Sequence, residues 1–241
     1  MRAPTFDIIA GDALNRLRDL DASSVHAVIT DPPYCSGGFS ETGKRQAKGQ
    51  GLRSETIRSE GWFINDNMTT GGLVWLLREC MIEVERILVD GGSALVFTDW
   101  RMVPHLAPAL ESSGLRFQNK ITWDKGSPGL GHGFRPRSEE ILHFVKGSPS
   151  FFDKATGNVI RCPRVRHTAR LHQTEKPVPL LETLIRVVAP VAGIVLDMFA
   201  GSGSTGIACI NTGRKFIGIE RSPDFVSIAR QRAAESTPNL L

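Results

Sequence analysis

Asp197-Met198-Phe199-Ala200-Gly201-Ser202-Gly203-Ser204-Thr205-Gly206 decides the fold of this 241-residue chain. The stretch leaves an apolar run, Ile194 to Met198, and enters helix-forming residues Thr205 to Asn211 closed by Gly213. Its G-x-G-x-x-G spacing therefore stands between a strand and a helix, the context that a dinucleotide-type fingerprint requires. Glu220 ends the next strand, Lys215 to Ile219, and is placed to accept hydrogen bonds from ribose hydroxyls, at roughly the 20-residue spacing of such folds. The bland alternative is a tight strand-to-helix turn that binds nothing.

A nicotinamide dehydrogenase is the obvious owner of such a turn, and chain order argues against it. Only one strand and one helix follow this turn and its helix, whereas a dinucleotide-binding fold builds most of its sheet after the fingerprint. The missing strands must come from the N-terminal half, which makes the chain a circular permutation. Phe6 to Ala10 then lies beside Lys215 to Ile219, and Asp12, just past its carboxyl end, reaches an adenine ring.

The N-terminal half offers a second rim. Thr30-Asp31-Pro32-Pro33-Tyr34 follows the apolar run Val25 to Ile29. Pro32 and Pro33 lack N–H donors and fix φ, so they end the strand and stiffen Asp31 and Tyr34 beyond its carboxyl end. In open α/β sheets that is where ligands bind. Val25 to Thr30 is apolar enough to be buried on both faces, as in a parallel sheet. With Phe6 to Ala10 and a helix from Ala13 to Leu20 it reads as a βαβ unit.

Further along, apolar residues from Leu73 to Leu88 recur at helical spacing, and Asp90-Gly91-Gly92 stops that helix before a strand at Ser93 to Thr98. A helix at Met102 to Ser113 and two strands, Arg116 to Trp123 and Glu140 to Val145, come next. Gly147 to Gln173 is the region weakest for regular structure. Pro177 starts a helix through Val188, and Ser222-Pro223-Asp224 caps the last one. The whole reads as one domain, 1–241, with a single doubly wound, mostly parallel α/β sheet of Rossmann-like type, circularly permuted.

Composition narrows the function classes. No apolar run approaches the roughly 20 residues a membrane span needs, and Met1 to Gly11 holds no signal-peptide core, so a cytoplasmic protein is expected. Four scattered cysteines with no C-x-x-C pair read as reduced thiols, with no metal site. The net charge of +4 is mild, but Lys154, Arg161, Arg164, Arg166 and Arg170 fall in a stretch with no acid. Such a run is either a solvated basic face or a phosphate-binding strip. The Gly- and Ser-rich segment from Cys35 to Thr70 is too long for an ordinary connection and starts at the Asp31 rim, so 35–70 reads as a flap.

This order of parts resembles the β-class amino-methylating DNA methyltransferases: Asp31-Pro-Pro-Tyr34 first, a basic region in the middle, then Thr174-Glu-Lys-Pro177, Phe199-Ala-Gly-Ser-Gly203 and Glu220. The resemblance implies S-adenosylmethionine as cofactor, held by Asp197, Phe199, Gly201, Ser202, Gly203 and Glu220, with Asp12 and Ala13 at its adenine. His172, Lys176 and Pro177 would line its methionine end. Asp31 and the Pro32 carbonyl would accept the hydrogens of a target amine, and Tyr34 would stack on the flipped base. Residues 147–173 would form a small target-recognition insertion. Arg135, Arg137, Arg161, Arg164, Arg166 and Arg170 would contact double-stranded DNA.

Asp at the first motif position resembles the adenine-N6 group, the alternatives being a cytosine-N4 enzyme or an inactive DNA-binding relative. A cytosine-carbon enzyme would need a nucleophilic Pro-Cys pair, and here only the reversed Cys162-Pro163 occurs. The small recognition region suggests a homodimer.

Overall fold

The computed structural model describes residues 6–33, 69–129, 132–164 and 175–236. Strands β1 (Phe6–Ala10), β2 (Val25–Thr30), β3 (Leu88–Thr98), β4 (Arg116–Asp124), β5 (Ser138–Val145), β6 (Val159–Arg161), β7 (Ile194–Asp197) and β8 (Lys215–Glu220) form one sheet in the order β1-β8-β7-β2-β3-β5-β4-β6. All neighbours are parallel except β5 against β3 and β4. The permutation expected from the glycine turn is present: β1 pairs with β8 in a register from Phe6↔Phe216 to Ala10↔Glu220.

Helices cover both faces, as a parallel sheet requires. On one side lie α1 (Ala13–Arg18), α2 (Thr70–Ile87) and α3 (Val103–Glu111), which bury Leu17, Leu77, Val84 and Leu106. On the other lie α4 (Val178–Val188), α5 (Ser204–Thr212) and α6 (Pro223–Ser236), which bury Leu184, Ile185, Cys209 and Ala229. Caps follow the sequence. The Asp12 side chain accepts from the Asn15 N–H to start α1, and Gly213, left-handed at φ 71°, closes α5.

β1 and β2 are parallel and joined by α1, a βαβ unit with β8 and β7 between its strands. Two expectations change. Asp90-Gly91-Gly92 is not a helix stop but part of β3. The helix ends at Ile87, where Leu88 turns to ψ 138° and the strand begins at once. Gly91, at φ 79°, kinks that strand where a Cβ would meet the Ser148 carbonyl oxygen at 2.9 Å. Finally, the region after Gly147 contributes β6, parallel to β4.

The last point places the basic segment. β5 runs away from the carboxyl ends of β2 and β3, so residues 146–158 lie at the opposite edge, where the Phe152 N–H donates to the carbonyl of Val187 near the end of α4. β6 then brings the chain back, pairing Arg161 with Asp124. Arg161 and Arg164 are therefore on the rim side, and Lys154 is not.

His143 on β5 is buried with its Nε2 3.1 Å from Ser93 Oγ, and burial, helped by Arg116, pushes its imidazole down to about 4. The unfolded chain takes up a proton near pH 6.5 that the folded chain refuses until about 4, so this stability is complete above 6.5 and lost as pH falls through that window. Asp197, raised to about 6 by burial, acts in the opposite sense, gaining stability as pH falls. Comparison with His143→Gln, which can keep the Ser93 bond, cancels the aspartate. The gap in melting temperature between wild type and variant narrows by roughly 5 °C between pH 7 and pH 5. A constant gap would mean His143 is not held neutral.

Candidate active site

Acidic side chains stand at the carboxyl ends of four successive strands of the sheet: Asp12 after β1, Glu220 on β8, Asp197 on β7 and Asp31 after β2. Parallel strands alone produce that alignment, and each carboxylate has a different task.

Asp197 is buried and fully engaged. Its Oδ1 accepts from Thr30 Oγ1 at 2.9 Å and from the Phe199 N–H at 3.1 Å, and Oδ2 accepts from Thr205 Oγ1 at 2.7 Å. It thereby ties the end of β2, the glycine turn and the first turn of α5 together. Burial outweighs these donors and lifts its carboxyl to about 6. Glu220 accepts from the Gly201 N–H at 2.8 Å and the Ser222 N–H at 2.7 Å, which holds the turn against the end of β8. Asp12 sits beside it, since the Gly11 N–H donates to the Glu220 carbonyl.

The three glycines of the turn differ. A Cβ on Gly201, at φ 51°, would meet nothing within 4 Å. On Gly203, at φ 81°, it would press on Ala229 Cβ at 2.9 Å, and on Gly206 it would overlap the rings of Phe6 and Phe216. Only Gly201 faces open space; the other two serve packing. Ser202 is locked from behind by Arg232, whose Nη1 donates to its carbonyl at 2.8 Å and its hydroxyl at 3.0 Å. Arg232 Nη2 also donates to Glu175 at 2.6 Å, and Ser204 Oγ lies 3.3 Å from the same oxygen. The Glu175-Lys176-Pro177 segment is thus fastened to the glycine turn.

Lys176 and Pro177 are buried, and Pro177 caps α4. Lys176 Nζ donates to Asp31 Oδ2 at 2.5 Å, lies 3.4 Å from Glu139 Oε2 and sits 5.2 Å from the centre of the Phe97 ring. Glu139 on β5 in turn accepts from Lys125 Nζ at 2.5 Å. Burial acts to depress the lysine, but Asp31 and Glu139 overcome it and raise its pKa, so the ammonium stays charged. Burial likewise acts to raise Glu139, and Lys176 and Lys125 reverse it, keeping the carboxylate ionised. A row of alternating charges, Asp31, Lys176, Glu139, Lys125, therefore runs along the rim.

Among the sequence candidates, Pro32 and Ala13 are buried beside Asp31 and Asp12, and Phe199 is half-buried against the α1–α3 side. Arg135, Arg137, Arg161 and Arg164 are exposed near the outer end of the sheet, with Arg137 paired to Asp124 at 2.8 Å. Tyr34, His172, Arg166 and Arg170 lie outside the described residues, as does 35–68 of the expected flap. Glu139, Lys125, Glu175, Arg232, Thr30 and Thr205 were not among the candidates. Glu175 was within reach, since it stands inside Thr174-Glu-Lys-Pro177, but nothing in sequence pairs Glu139 with a lysine 37 residues away.

Three of the four cysteines are described, and Cys80, Cys162 and Cys209 are buried free thiols. Among the described residues no group of three His, Cys, Asp or Glu side chains could hold a metal ion, and no helix is long and apolar enough to cross a membrane.

Residues 25–231 match a family described as DNA methylase, covering N6 and N4 methyltransferases. The chain is 28% identical over 266 residues to DNA adenine methyltransferase YhdJ of Escherichia coli (strain K12), covering 93% of this chain and 81% of that protein. Its fold is that of the M1.HpyAVI–SAM complex, at TM-score 0.68 and 24% identity, covering 95% of this chain and 99% of that one. It is also that of PvuII DNA methyltransferase, described as cytosine-N4-specific, at TM-score 0.74 and 17% identity, covering 99% and 90%.

Proposed function

This chain belongs to the DNA methylase family, and we propose from that premise that it methylates the exocyclic N6 amine of adenine in a specific duplex DNA sequence. S-adenosylmethionine is the cofactor and supplies the methyl as an electrophile on a sulfonium. The residues fit such a group: Gly201 leaves open space above the turn, Glu220 keeps acceptor capacity for ribose hydroxyls, and Asp12 stands next to it to take an adenine amine. Ala13, Phe199, Ser202 and Gly203 shape the same cradle. His172, Lys176 and Pro177 border the methionine end, and Asp197 acts chiefly by fixing the turn.

The observation that carries the proposal is the placement of Asp31. β2 and β7 are direct neighbours, and Thr30 bonds to Asp197, so the Asp31 carboxylate stands one strand away from the cofactor turn. An exocyclic amine is a poor nucleophile because its lone pair is delocalised into the ring. Asp31 and the Pro32 carbonyl accept its two hydrogens and turn the lone pair out of conjugation, a gain of orientation and placed acceptors. Tyr34, next in the motif, stacks on the base, which must leave the duplex to reach this rim. Arg135, Arg137, Arg161 and Arg164 face the phosphates, continued by Arg166 and Arg170, while 35–70 closes over the base and 147–173 contributes recognition through its rim-side half. The active form is a homodimer.

The test is methyl transfer from labelled S-adenosylmethionine to duplex DNA, by protein fractionated by sedimentation, with the product nucleosides identified by mass. N6-methyladenine from the dimer fraction is expected. N4-methylcytosine would overturn the base assignment, a fully active monomer would overturn the dimer, and no transfer at all would overturn the methylation itself.

A further inference from the structure

The connection between β4 and β5 leaves the sheet on the rim side, because β5 is antiparallel to β3 and begins where β3 ends, with Thr98 opposite Glu140. It carries the hairpin past the last sheet pair, Asp124↔Ser138, as an arm: the Lys125 N–H donates to the Arg137 carbonyl at 2.9 Å and the Gly129 N–H to the Pro136 carbonyl at 2.8 Å. Lys125 and Glu139 join at its root, and Glu139 stands 3.4 Å from Lys176, so the arm is rooted beside Asp31. Pro128 and Pro136 restrict its backbone. Near the tip Phe134 is 107% exposed and makes no ring or cation contact among the described residues. Trp100, the other exposed aromatic on this rim, already has the Arg101 guanidinium 4.9 Å from its ring centre.

A single exposed aromatic would mean little, but this one has company. Arg135 follows it directly, and Arg137 is held to Asp124. Arg161 Nε and Arg164 Nη2 lie 3.9 and 3.8 Å from where a Cβ on Gly126 and on Gly129 would stand, so both arginines flank the arm. All four arginines are exposed. An apolar ring on an arm flanked by cations fits a partner with anionic strands outside and flat stacked rings inside.

We propose that Phe134 is a wedge that enters the base stack of the duplex as the target base leaves, and so keeps that base extruded towards Asp31. It is a positioning residue for methyl transfer, an inference that rests on the methylation proposed above. The ring replaces part of the stacking that the extruded base gives up, while Arg135, Arg137, Arg161 and Arg164 hold the phosphates around the step. Phe134 precedes Glu139 by five residues, a reach of at most roughly 18 Å, so the ring and the Asp31 rim meet the same few base steps. Insertion makes and breaks no covalent bond.

Phe134→Ala removes the ring without touching the core, the arm's backbone bonds or its arginines. Single-turnover methyl transfer to duplex DNA falls roughly 5- to 100-fold, the loss of one base–aromatic stack, while S-adenosylmethionine affinity measured by calorimetry without DNA stays within about twofold. Most of the lost rate returns when the target base lies opposite a mismatch, because a base that is already unpaired leaves the stack more easily. Loss of a mere phosphate contact would slow paired and mismatched targets alike. Phe134→Trp, which keeps a flat ring, stays close to wild type on both. Binding gives a readout that needs neither turnover nor a known recognition sequence: wild type holds a duplex with one abasic step several-fold tighter than the intact duplex, and Phe134→Ala holds the two alike. Undiminished transfer by Phe134→Ala, an equal loss on paired and mismatched targets, or an abasic preference that is missing in wild type or survives the substitution overturns the wedge. Absence of transfer by wild type overturns the methylation, and the abasic preference then decides the wedge alone.

Discussion

Asp31→Ala lowers single-turnover methyl transfer by on the order of 10²- to 10³-fold, the loss that follows removal of one placed polar group from a reacting centre. S-adenosylmethionine binding remains within about twofold of wild type, because the cofactor turn is held by Asp197 and Glu220, which the substitution does not touch. The variant also folds. Removing one partner of a buried ion pair usually costs several kcal/mol through the charge left behind, but here Glu139 stands 3.4 Å from Lys176 and takes the ammonium. Asp31→Asn keeps an acceptor oxygen without the charge and falls between alanine and wild type. Melting curves, calorimetry and methyl transfer on one set of preparations separate these effects. Undiminished transfer by Asp31→Ala would remove Asp31 from the chemistry.

What could be read in the sequence was what depends on neighbours in the chain. The glycine turn, the Pro32-Pro33 strand end and the helix spacing of Leu73 to Ile87 are local patterns, and each stands where it was expected. Chain order then led to the β1–β8 pairing, since most strands of this sheet precede the glycine turn. Local patterns misled where sheet context overrides preference. Asp90-Gly91-Gly92 looks like a stop, yet β3 holds it in place through the bond from the Gly91 N–H to Lys146 and the pairing with β5. Contacts between distant charges were out of reach. Lys176 carries no mark of the aspartate 145 residues before it, nor Arg232 of Glu175, 57 residues away.

The same limit applies to the glycines, which share one motif but have different work, and substitution separates them. Gly206→Ala would push a methyl into Phe6 and Phe216, whose rings stack 5.0 Å apart across β1 and β8. Phe216 is fully buried and also crowds Gly218, so it has little room to yield. Overpacking of this kind costs about 1–3 kcal/mol, a fall of roughly 3–10 °C in melting temperature. Cofactor affinity of the folded variant changes little, because the methyl points into the sheet. Gly201→Ala behaves in reverse. Its Cβ enters open space, so the stability loss is limited to the left-handed φ of 51°, about 1 kcal/mol. That open space belongs to the cofactor cradle proposed above, so affinity for S-adenosylmethionine is expected to fall roughly tenfold or more, equivalent to at least about 1.4 kcal/mol. Paired melting and calorimetric measurements therefore cross over between the two variants. If both lost stability and affinity in step, the turn would be a single packing unit and Gly201 would not face the cofactor.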